Sequence, residues 1–440
     1  MLDQITAALH AHSTLRGWSV TQTTQRGWQL YAVPSGVEAT RDTSQITYKI
    51  EVLIDTGTVD QPACGQASVT VLPGDDIERA IDEALLMASL VHNPQYDLPG
   101  PAPLPDVPLV DAELQRDPAG VLNRLYARLS AVVRRHPQVR MTAAEVYADE
   151  VTTRLINSRG IDAEQTGTMF AIEWVLIGRS GEREVETFFE TTRRRVVDLD
   201  VEAEVERRVQ YTLDLLTATT PTDYVGPVVL QGGVLANFFS GAGGLGGDVF
   251  AQHGSAESKY AKVSQWEIGQ SIFKRAVDGD PFTLWANRTL PYGVHSDRFD
   301  NEGLPAQRVD LIRNGRLMAL VASQRYAEYL ELPATGAFGN FEVAAGSTPV
   351  DRLLAEPHIE IVSFSWFNPS PITGDFTCEI RLGYLVADGQ RTPFRGGTLI
   401  GNVLEALATV QFSAETGFFG DYAGPIAARF KQLKLAGHTA

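Results

Sequence analysis

Most of this chain alternates apolar and polar side chains with a period of two residues, and that pattern constrains its fold more than any other feature. Segments such as WQLYAVP (residues 28–34), ITYKIEVLID (46–55) and ASVTVLP (67–73) are rich in Val, Ile, Thr and Tyr, and turn residues separate them. They predict an antiparallel sheet. Because strands and helices do not alternate regularly, the sequence does not favour a doubly wound parallel sheet.

Three helical stripes interrupt the strand pattern in the first half of the chain. Apolar side chains recur every three or four residues over 77–91, 121–132 and 205–216. Asp75 or Asp76 can cap the first of these helices. Amphipathic helices of this kind lie with their apolar stripe against a sheet, so the first half predicts helices packed on strands.

A change of composition near residue 220 predicts a domain boundary. The polar segment TATTPTDY (217–224) separates the helix-bearing half from a second half that is mostly strands and turns, with short helices near 322–330 and 401–410. We therefore expect an α+β protein in two domains, 1–220 and 221–440. The proline-rich stretch 93–110 predicts an extended strap over the surface and not a domain linker, because the same pattern resumes beyond it.

Composition and charge limit the possible partners. The formal net charge of −17 does not favour binding to nucleic acid, and the one compact basic cluster, Arg193 to Arg195, is expected on the solvated face and end of a strand. The uncharged stretch 224–247 is interrupted by Pro227 and by polar residues, so we do not expect it to span a membrane.

The N-terminus and the cysteines indicate a cytoplasmic protein. Leu2, Ile5, Leu9 and Leu15 form one stripe, which predicts an amphipathic helix and not an export signal. The two cysteines lie far apart without the spacing of a disulfide framework or a zinc knuckle. Cys378 is expected to be a small buried strand residue.

The glycine-rich stretch LQGGVLANFFSGAGGLGGD (230–248) contains the spacing of a dinucleotide fingerprint at Gly241, Gly243 and Gly246. A pyrophosphate loop requires these glycines between a strand and the start of a helix. Here they follow a helical stripe that begins at Val234, an order typical of a helix C-terminal cap. The stretch therefore predicts a short packed helix and no nucleotide site.

No other pattern in the sequence shows a complete catalytic site. The histidines do not have metal-ligand spacing, and no nucleophile elbow occurs. An acidic, turn-rich loop (295–317) gathers Asp297, Asp300 and Glu302. That loop is either a solvated connection or the wall of a cleft that binds a peptide backbone or a neighbouring subunit.

Four stretches resemble the TldD/PmbA family, whose members are linked to peptide processing and described as modulators of DNA gyrase. They are VVLQGGVLANFFSGAGG, RFDNEGLPAQRVDLIRNGRLMALVASQRYAEYL, TGAFGNFEV and RTPFRGGTLIGNVLEAL. The resemblance implies an N-terminal domain of helices on a sheet, a β-rich C-terminal domain, and dimers around an inner cleft. In the TldD branch the corresponding helix carries a zinc-binding His-Glu-x-x-x-His motif. The equivalent residues here, Ala236 to Gly241, contain neither histidine nor glutamate.

The sequence therefore resembles the PmbA branch, also called TldE, whose members are non-catalytic partners of a zinc-bearing TldD chain. This implies no catalytic or metal-binding residue and no cofactor in this chain, with zinc in the partner. The expected partners are a TldD-like metallopeptidase chain or a second copy, and an unfolded peptide; nucleic acid and membrane are not expected. The candidate polar groups of a peptide cleft are Asn237, Ser240, Asp300, Glu302 and Arg308. Two alternatives stay open: a self-sufficient peptidase, and a protein that modulates a DNA-associated enzyme such as gyrase.

Overall fold

A computed structural model describes residues 1–239 and 248–437 of the chain. The helices within these ranges are α1 Leu2–Ala11, α2 Ile77–Ser89, α3 Ala112–Arg116, α4 Pro118–Val133, α5 Val201–Thr217, α6 Gly232–Phe239, α7 Asp248–His253, α8 Ala256–Tyr260, α9 Gln324–Leu330, α10 Val350–Leu353 and α11 Val403–Leu407. The strands of the first half are β1 Leu15–Val33, β2 Gly36–Asp55, β3 Ala63–Val71, β4 Asn93–Pro94, β5 Val139–Asn157, β6 Asp162–Ser180 and β7 Arg183–Arg193. Those of the second half are β8 Tyr224–Gln231, β9 Leu284–Asn287, β10 Arg308–Arg313, β11 Arg316–Leu317, β12 Asn340–Val343, β13 His358–Phe364, β14 Asp375–Ala387, β15 Gln390–Phe394, β16 Thr398–Asn402, β17 Val410–Phe412, β18 Thr416–Phe418, β19 Tyr422–Pro425 and β20 Ala427–Ala436.

The strands of the first half form one antiparallel seven-stranded sheet in the order β4-β3-β2-β1-β5-β6-β7. Helices α1 and α2 pack on one end of a single face, around Trp18 and Ile50. Helices α4 and α5 pack on the other end of the same face, around Trp174. The expected α+β class, with helices on an antiparallel sheet followed by a β-rich half, is confirmed.

Side-chain caps place the helices where the sequence pattern expects them, and the cap of α2 is one of the two predicted aspartates. The carboxylate of Asp76 accepts a hydrogen bond from the backbone N–H of Arg79 at 3.1 Å, and Asp117 caps α4 through the N–H of Gly120 at 3.0 Å. The first helix is shorter than predicted. It ends at Ala11, and Leu15 begins β1, because an apolar residue serves the first turn of a strand as well as the end of a helical stripe.

The proline-rich strap runs between the first sheet and the second half of the chain. Tyr96, Leu98, Val107 and Leu109 are buried, and the backbone oxygen of Pro105 accepts a hydrogen bond from Arg298 at 3.2 Å. The strap therefore contributes apolar surface to the junction of the two halves, in addition to crossing the surface of the first.

Two sheets make up the second half. One is a six-stranded sheet in the order β11-β10-β9-β12-β19-β18. In the other, the order β13-β8-β20-β16-β14 closes on itself, because β13 also pairs with β14. Helix α6 contacts strands of both sheets. Cys378 is buried in β14, as predicted.

The basic cluster is not the solvated strand face that the sequence suggested. The guanidinium of Arg194 donates to the backbone oxygens of Gly293, Val294 and Ser296 at 2.7, 3.0 and 2.7 Å. Burial lowers the pKa of Arg194 to about 10. A period-two pattern identifies which residues share a face but not whether a second domain covers that face, and here the second half covers it.

Within residues 1–239 and 248–437, no helix combines the length and apolarity needed to cross a bilayer. The proposed boundary at residue 220 stays a prediction, as does the cytoplasmic location. Near that boundary the backbone N–H of Thr219 donates a hydrogen bond to Pro393, and its carbonyl accepts one from the N–H of Arg395. These bonds attach the connecting segment to β15 and the residue after it.

We expect Arg194→Lys to destabilise the protein by about 2–3 kcal/mol, because an ammonium cannot reach the same spread of carbonyl oxygens and leaves some of them buried without a donor. Urea unfolding measures the loss. Arg179→Lys, at an exposed ion pair with Glu184, is the matched control and should change the free energy of unfolding by less than about 0.5 kcal/mol. Equal effects of the two substitutions would contradict a bridging role for Arg194.

Candidate functional site

Helix α6 is held between the two sheets of the second half by its aromatic face. Gly232, the first residue of α6, directly follows β8 and has a φ of +55°, which permits the abrupt change from strand to helix. Leu235, Phe238 and Phe239 are each at most 1% exposed. The ring of Phe239 stacks 5.6 Å from that of Tyr422, centroid to centroid. This packing fixes which face of α6 remains open.

The predicted cleft group Asn237 lies on the exposed face of α6. The other candidate from this segment, Ser240, lies outside the described residues. The glycines of the dinucleotide spacing, Gly241, Gly243 and Gly246, also fall in the undescribed segment 240–247.

The side chains of α6 do not fit a zinc ion. Zinc in proteins is bound by thiolate, imidazole or carboxylate groups, whereas the first two positions of the equivalent motif hold Ala236 and Asn237. Ala236 is only 3% exposed, packed into the core. Across the described parts of the chain, no group of three or more His, Cys, Asp or Glu side chains is placed to hold a metal. We derive no metal-dependent step from this helix.

A group of three polar residues, Gln231, Glu360 and Arg391, lies at the end of β8, next to the start of α6. The carboxylate of Glu360 accepts one hydrogen bond from the amide of Gln231 at 3.0 Å and another from the guanidinium of Arg391 at 2.8 Å. Glu360 is 8% exposed. The charge of Glu360 is therefore compensated, and this group of three residues has a structural role.

The acidic loop places Asp300 at the centre of a buried charge cluster. One oxygen of Asp300 accepts the backbone N–H groups of Glu302 and Leu304, both at 2.9 Å. Its other oxygen lies 3.7 Å from Arg288, which also pairs with Asp297. Burial raises the pKa of Asp297 to about 6 in spite of this cation. The cluster holds the loop in place.

Glu302 lies in the same loop, with its side chain turned toward α9. Its carboxylate accepts the backbone N–H of Gln324 at 2.8 Å, at the first residue of that helix. Burial raises the pKa of Glu302 to about 7, and the neighbouring Asp300 acts in the same direction.

Arg308 forms a two-pronged ion pair with Glu342, with N to O distances of 2.8 and 3.0 Å. Its guanidinium also lies 4.0 Å from the centre of the Trp285 ring. In the β9–β10 ladder Arg308 is opposite Asn287, the residue before Arg288. The structure thus brings Arg308, Asp300 and Glu302 to one end of β9, whereas Asn237 lies on a separate element.

Sequence reasoning missed a second polar group at the junction of the two halves. The backbone N–H of Val294 donates to Gly420 at 2.9 Å, which sets His295 beside Asp421. Burial lowers the pKa of His295 and raises that of Asp421, and each charge opposes the other shift. No local signal marks these two residues, because they come from distant loops that only the fold brings together.

We expect Glu302→Gln to stabilise the protein increasingly as the pH rises from about 4.5 to 7. A carboxyl whose pKa is raised on folding contributes stability below its unfolded value and loses it as the pH passes its folded value. The substitution removes this loss and keeps an oxygen for the N–H of Gln324. Relative to wild type, the free energy of unfolding should rise by roughly 3 kcal/mol between pH 4.5 and 8.

Urea titrations at several pH values measure this difference. The control is Glu331→Gln, at an exposed position one residue beyond α9, which should follow the wild-type pH profile. A constant difference between Glu302→Gln and wild type at all pH values would show that folding does not change the pKa of Glu302.

Comparison with known proteins relates this chain to one family of metallopeptidases. Residues 225–437 match the family model of the PmbA/TldA metallopeptidase C-terminal domain. An uncharacterized protein of Methanocaldococcus jannaschii is 27% identical over 268 residues, which span 57% of this chain and 59% of that protein. A zinc metalloprotease TldD homolog of Saccharolobus solfataricus is 22% identical over 337 residues, 70% of this chain and 72% of that protein. The chain thus aligns with less than two thirds of the Methanocaldococcus protein.

The similarity of the fold to a solved structure covers nearly the whole chain. The crystal structure of TldE from Thermococcus kodakarensis superposes with a TM-score of 0.82 at 18% identity and covers 99% of this chain and 100% of that one. At that identity the superposition shows a shared fold. Residues 225–437 thus match the PmbA/TldA C-terminal domain, and the whole chain shares the fold of that TldE structure.

Proposed function

We propose that this chain is a non-catalytic subunit, of the PmbA/TldE kind, that pairs with a zinc-bearing TldD-like chain to process unfolded peptides. The observation that carries the proposal is the character of α6. Its Ala236 is buried against the core and its Asn237 carries no charge, so neither can ligate zinc or act as a base on a metal-bound water. The zinc and its chemistry would belong to the partner.

In this proposal the chain contributes shape and polar contacts to a shared cleft. An extended peptide offers backbone N–H and C=O groups, and a strand edge or a few amide side chains can bind them without sequence-specific chemistry. The proposed cleft groups are Asn237 of α6, Ser240, which is outside the described residues, and Asp300, Glu302 and Arg308 near the end of β9. The buried carboxylates of Asp300 and Glu302 would act by shaping the loop.

Co-purification tests the subunit role. A tagged version of this chain, expressed in its native host, should recover a chain of similar length that bears His-Glu-x-x-x-His in about equal amount. Metal analysis should find about one zinc per pair. The zinc should be lost when the partner's histidines are replaced, and peptide cleavage should require both chains.

The alternatives give different results in the same assays. Cleavage by this chain alone, abolished by a chelator, would establish a self-sufficient peptidase and overturn the subunit role. Recovery of a DNA-associated enzyme in place of a metallopeptidase would favour a modulator of that enzyme.

We expect Asn237→Ala to slow peptide cleavage by the assembled pair about fivefold to tenfold, the effect of one lost hydrogen bond. Co-purification should be unchanged. Asn123→Ala, on the exposed face of α4, is the matched control and should leave cleavage unchanged. Wild-type cleavage by Asn237→Ala would remove this residue from the proposed cleft.

A further inference from the structure

The face of the first sheet that points away from its helices is open to solvent at β6 and β7. Successive residues of a strand point to opposite faces. Trp174 of β6 and Phe189 of β7 point to the helices, where their rings are in contact. Glu173, Val175 and Phe188 therefore point to the other face. Phe188 is 46% exposed although it is a large apolar side chain, and Glu173 and Val175 are half-buried.

Three glutamates lie side by side in one row across this open face. In the strand register Glu145 of β5 is opposite Glu173 of β6, and Glu173 is opposite Glu190 of β7. Residues opposite each other on neighbouring strands have Cβ atoms about 4.5–5.5 Å apart, and like charges at such positions are destabilising. The row therefore costs stability in the free protein.

No cation of the chain compensates this row. Among the residues that the structure describes, none of the three carboxylates is in an ion pair. The rows on either side are uncharged, and they consist of Tyr147, Ala171 and Thr192 on one side and of Ala143, Val175 and Phe188 on the other. Burial raises the pKa of Glu173, and Glu190 and Glu145 raise it further.

Two neutral donors hold one end of the row in place. The carboxylate of Glu145 accepts a hydrogen bond from the amide of Gln29 at 2.8 Å and another from the hydroxyl of Tyr147. Both donors are uncharged, so they orient this carboxylate and leave its charge available. Within the described parts of the chain, the carboxylates of Glu173 and Glu190 have no hydrogen-bond donor.

We propose that this face binds an extended peptide that carries a lysine or arginine two positions away from an apolar residue. The cation lies over Glu173, between Glu145 and Glu190, and the apolar side chain covers Val175 and Phe188. Glu173 and Val175 are two residues apart on one strand, and alternate side chains of an extended peptide have the same spacing of about 6.8 Å.

Charge complementarity identifies this partner. A cation offsets the repulsion within the row, whereas a second copy of the same acidic face would increase it. The row and its apolar neighbours belong to β5, β6 and β7 of the first half. Binding at this face therefore does not depend on α6 or on cleavage by a partner chain.

Fluorescence anisotropy of labelled peptides titrated with the full chain tests the site. The probes are three hexapeptides with blocked ends: one with lysine and phenylalanine two positions apart, one with glutamine in place of the lysine, and one with serine in place of the phenylalanine. At about pH 8 the lysine peptide should bind about tenfold more tightly than the glutamine peptide and about threefold to tenfold more tightly than the serine peptide. Added salt should weaken the lysine peptide more than the glutamine peptide.

Substitutions assign the contacts. Glu173→Gln should weaken the lysine peptide by about fivefold to tenfold. The same substitution should raise the melting temperature of the free protein by about 1–2 °C, because it removes repulsion within the row. A side chain with only a structural role would not combine weaker binding with higher stability. Glu331→Gln, at an exposed position one residue beyond α9, removes the same charge elsewhere and should change neither property.

The outcomes separate this site from its alternatives. Equal affinity for the lysine and glutamine peptides, or wild-type binding by Glu173→Gln, would overturn the proposal. Equal losses in Glu173→Gln and Glu331→Gln would show a general effect of the net charge of −17 and overturn it as well. Sedimentation of the free protein tests the other occupant: if Glu173→Gln changes self-association and no peptide binds, a second copy covers this face and the proposal is wrong.

Discussion

The aromatic packing around α6 is the constraint on which the second half of the molecule depends. Phe239 contacts the rings of Phe282, Phe412 and Tyr422, which come from segments of both sheets, while Phe238 packs on Phe430 of β20. Buried aromatic side chains contribute large apolar areas and specific ring geometries. Because these rings occupy one face of the helix, they fix its orientation, and Asn237 lies on the exposed face of its described residues. The same packing buries Ala236, at a position where a zinc ligand would have to reach the cleft.

The junction between the halves combines apolar clusters with buried polar contacts. The guanidinium of Arg194 donates hydrogen bonds to backbone oxygens of the loop after β9. Within the second half, Arg288 pairs with the carboxylates of Asp297 and Asp300. Burying such charges is favourable only when their partners are fixed, so loops without regular structure become rigid here. The raised pKa values of Asp297 and Glu302 show that compensation is incomplete. These groups therefore make the junction less stable at higher pH.

The α6 face offers an amide in a region that matches a metallopeptidase family model, and this is consistent with the proposed structural part in a shared cleft. Recognition of an extended peptide requires only placed hydrogen-bonding groups and complementary shape, so such a part needs no metal on this helix.

The sequence by itself determined the class of the fold and most local elements. Periodicity of two and of 3.6 depends only on neighbouring residues, so the strands of the first sheet, the helices α2, α4 and α5 and the cap at Asp76 could be predicted. Tertiary structure alone decided which faces are covered. It made Arg194, which was expected at the surface, a link between the two halves, and it set His295 beside Asp421. These outcomes depend on contacts between residues far apart in the chain, and a local pattern carries no information about what packs against it.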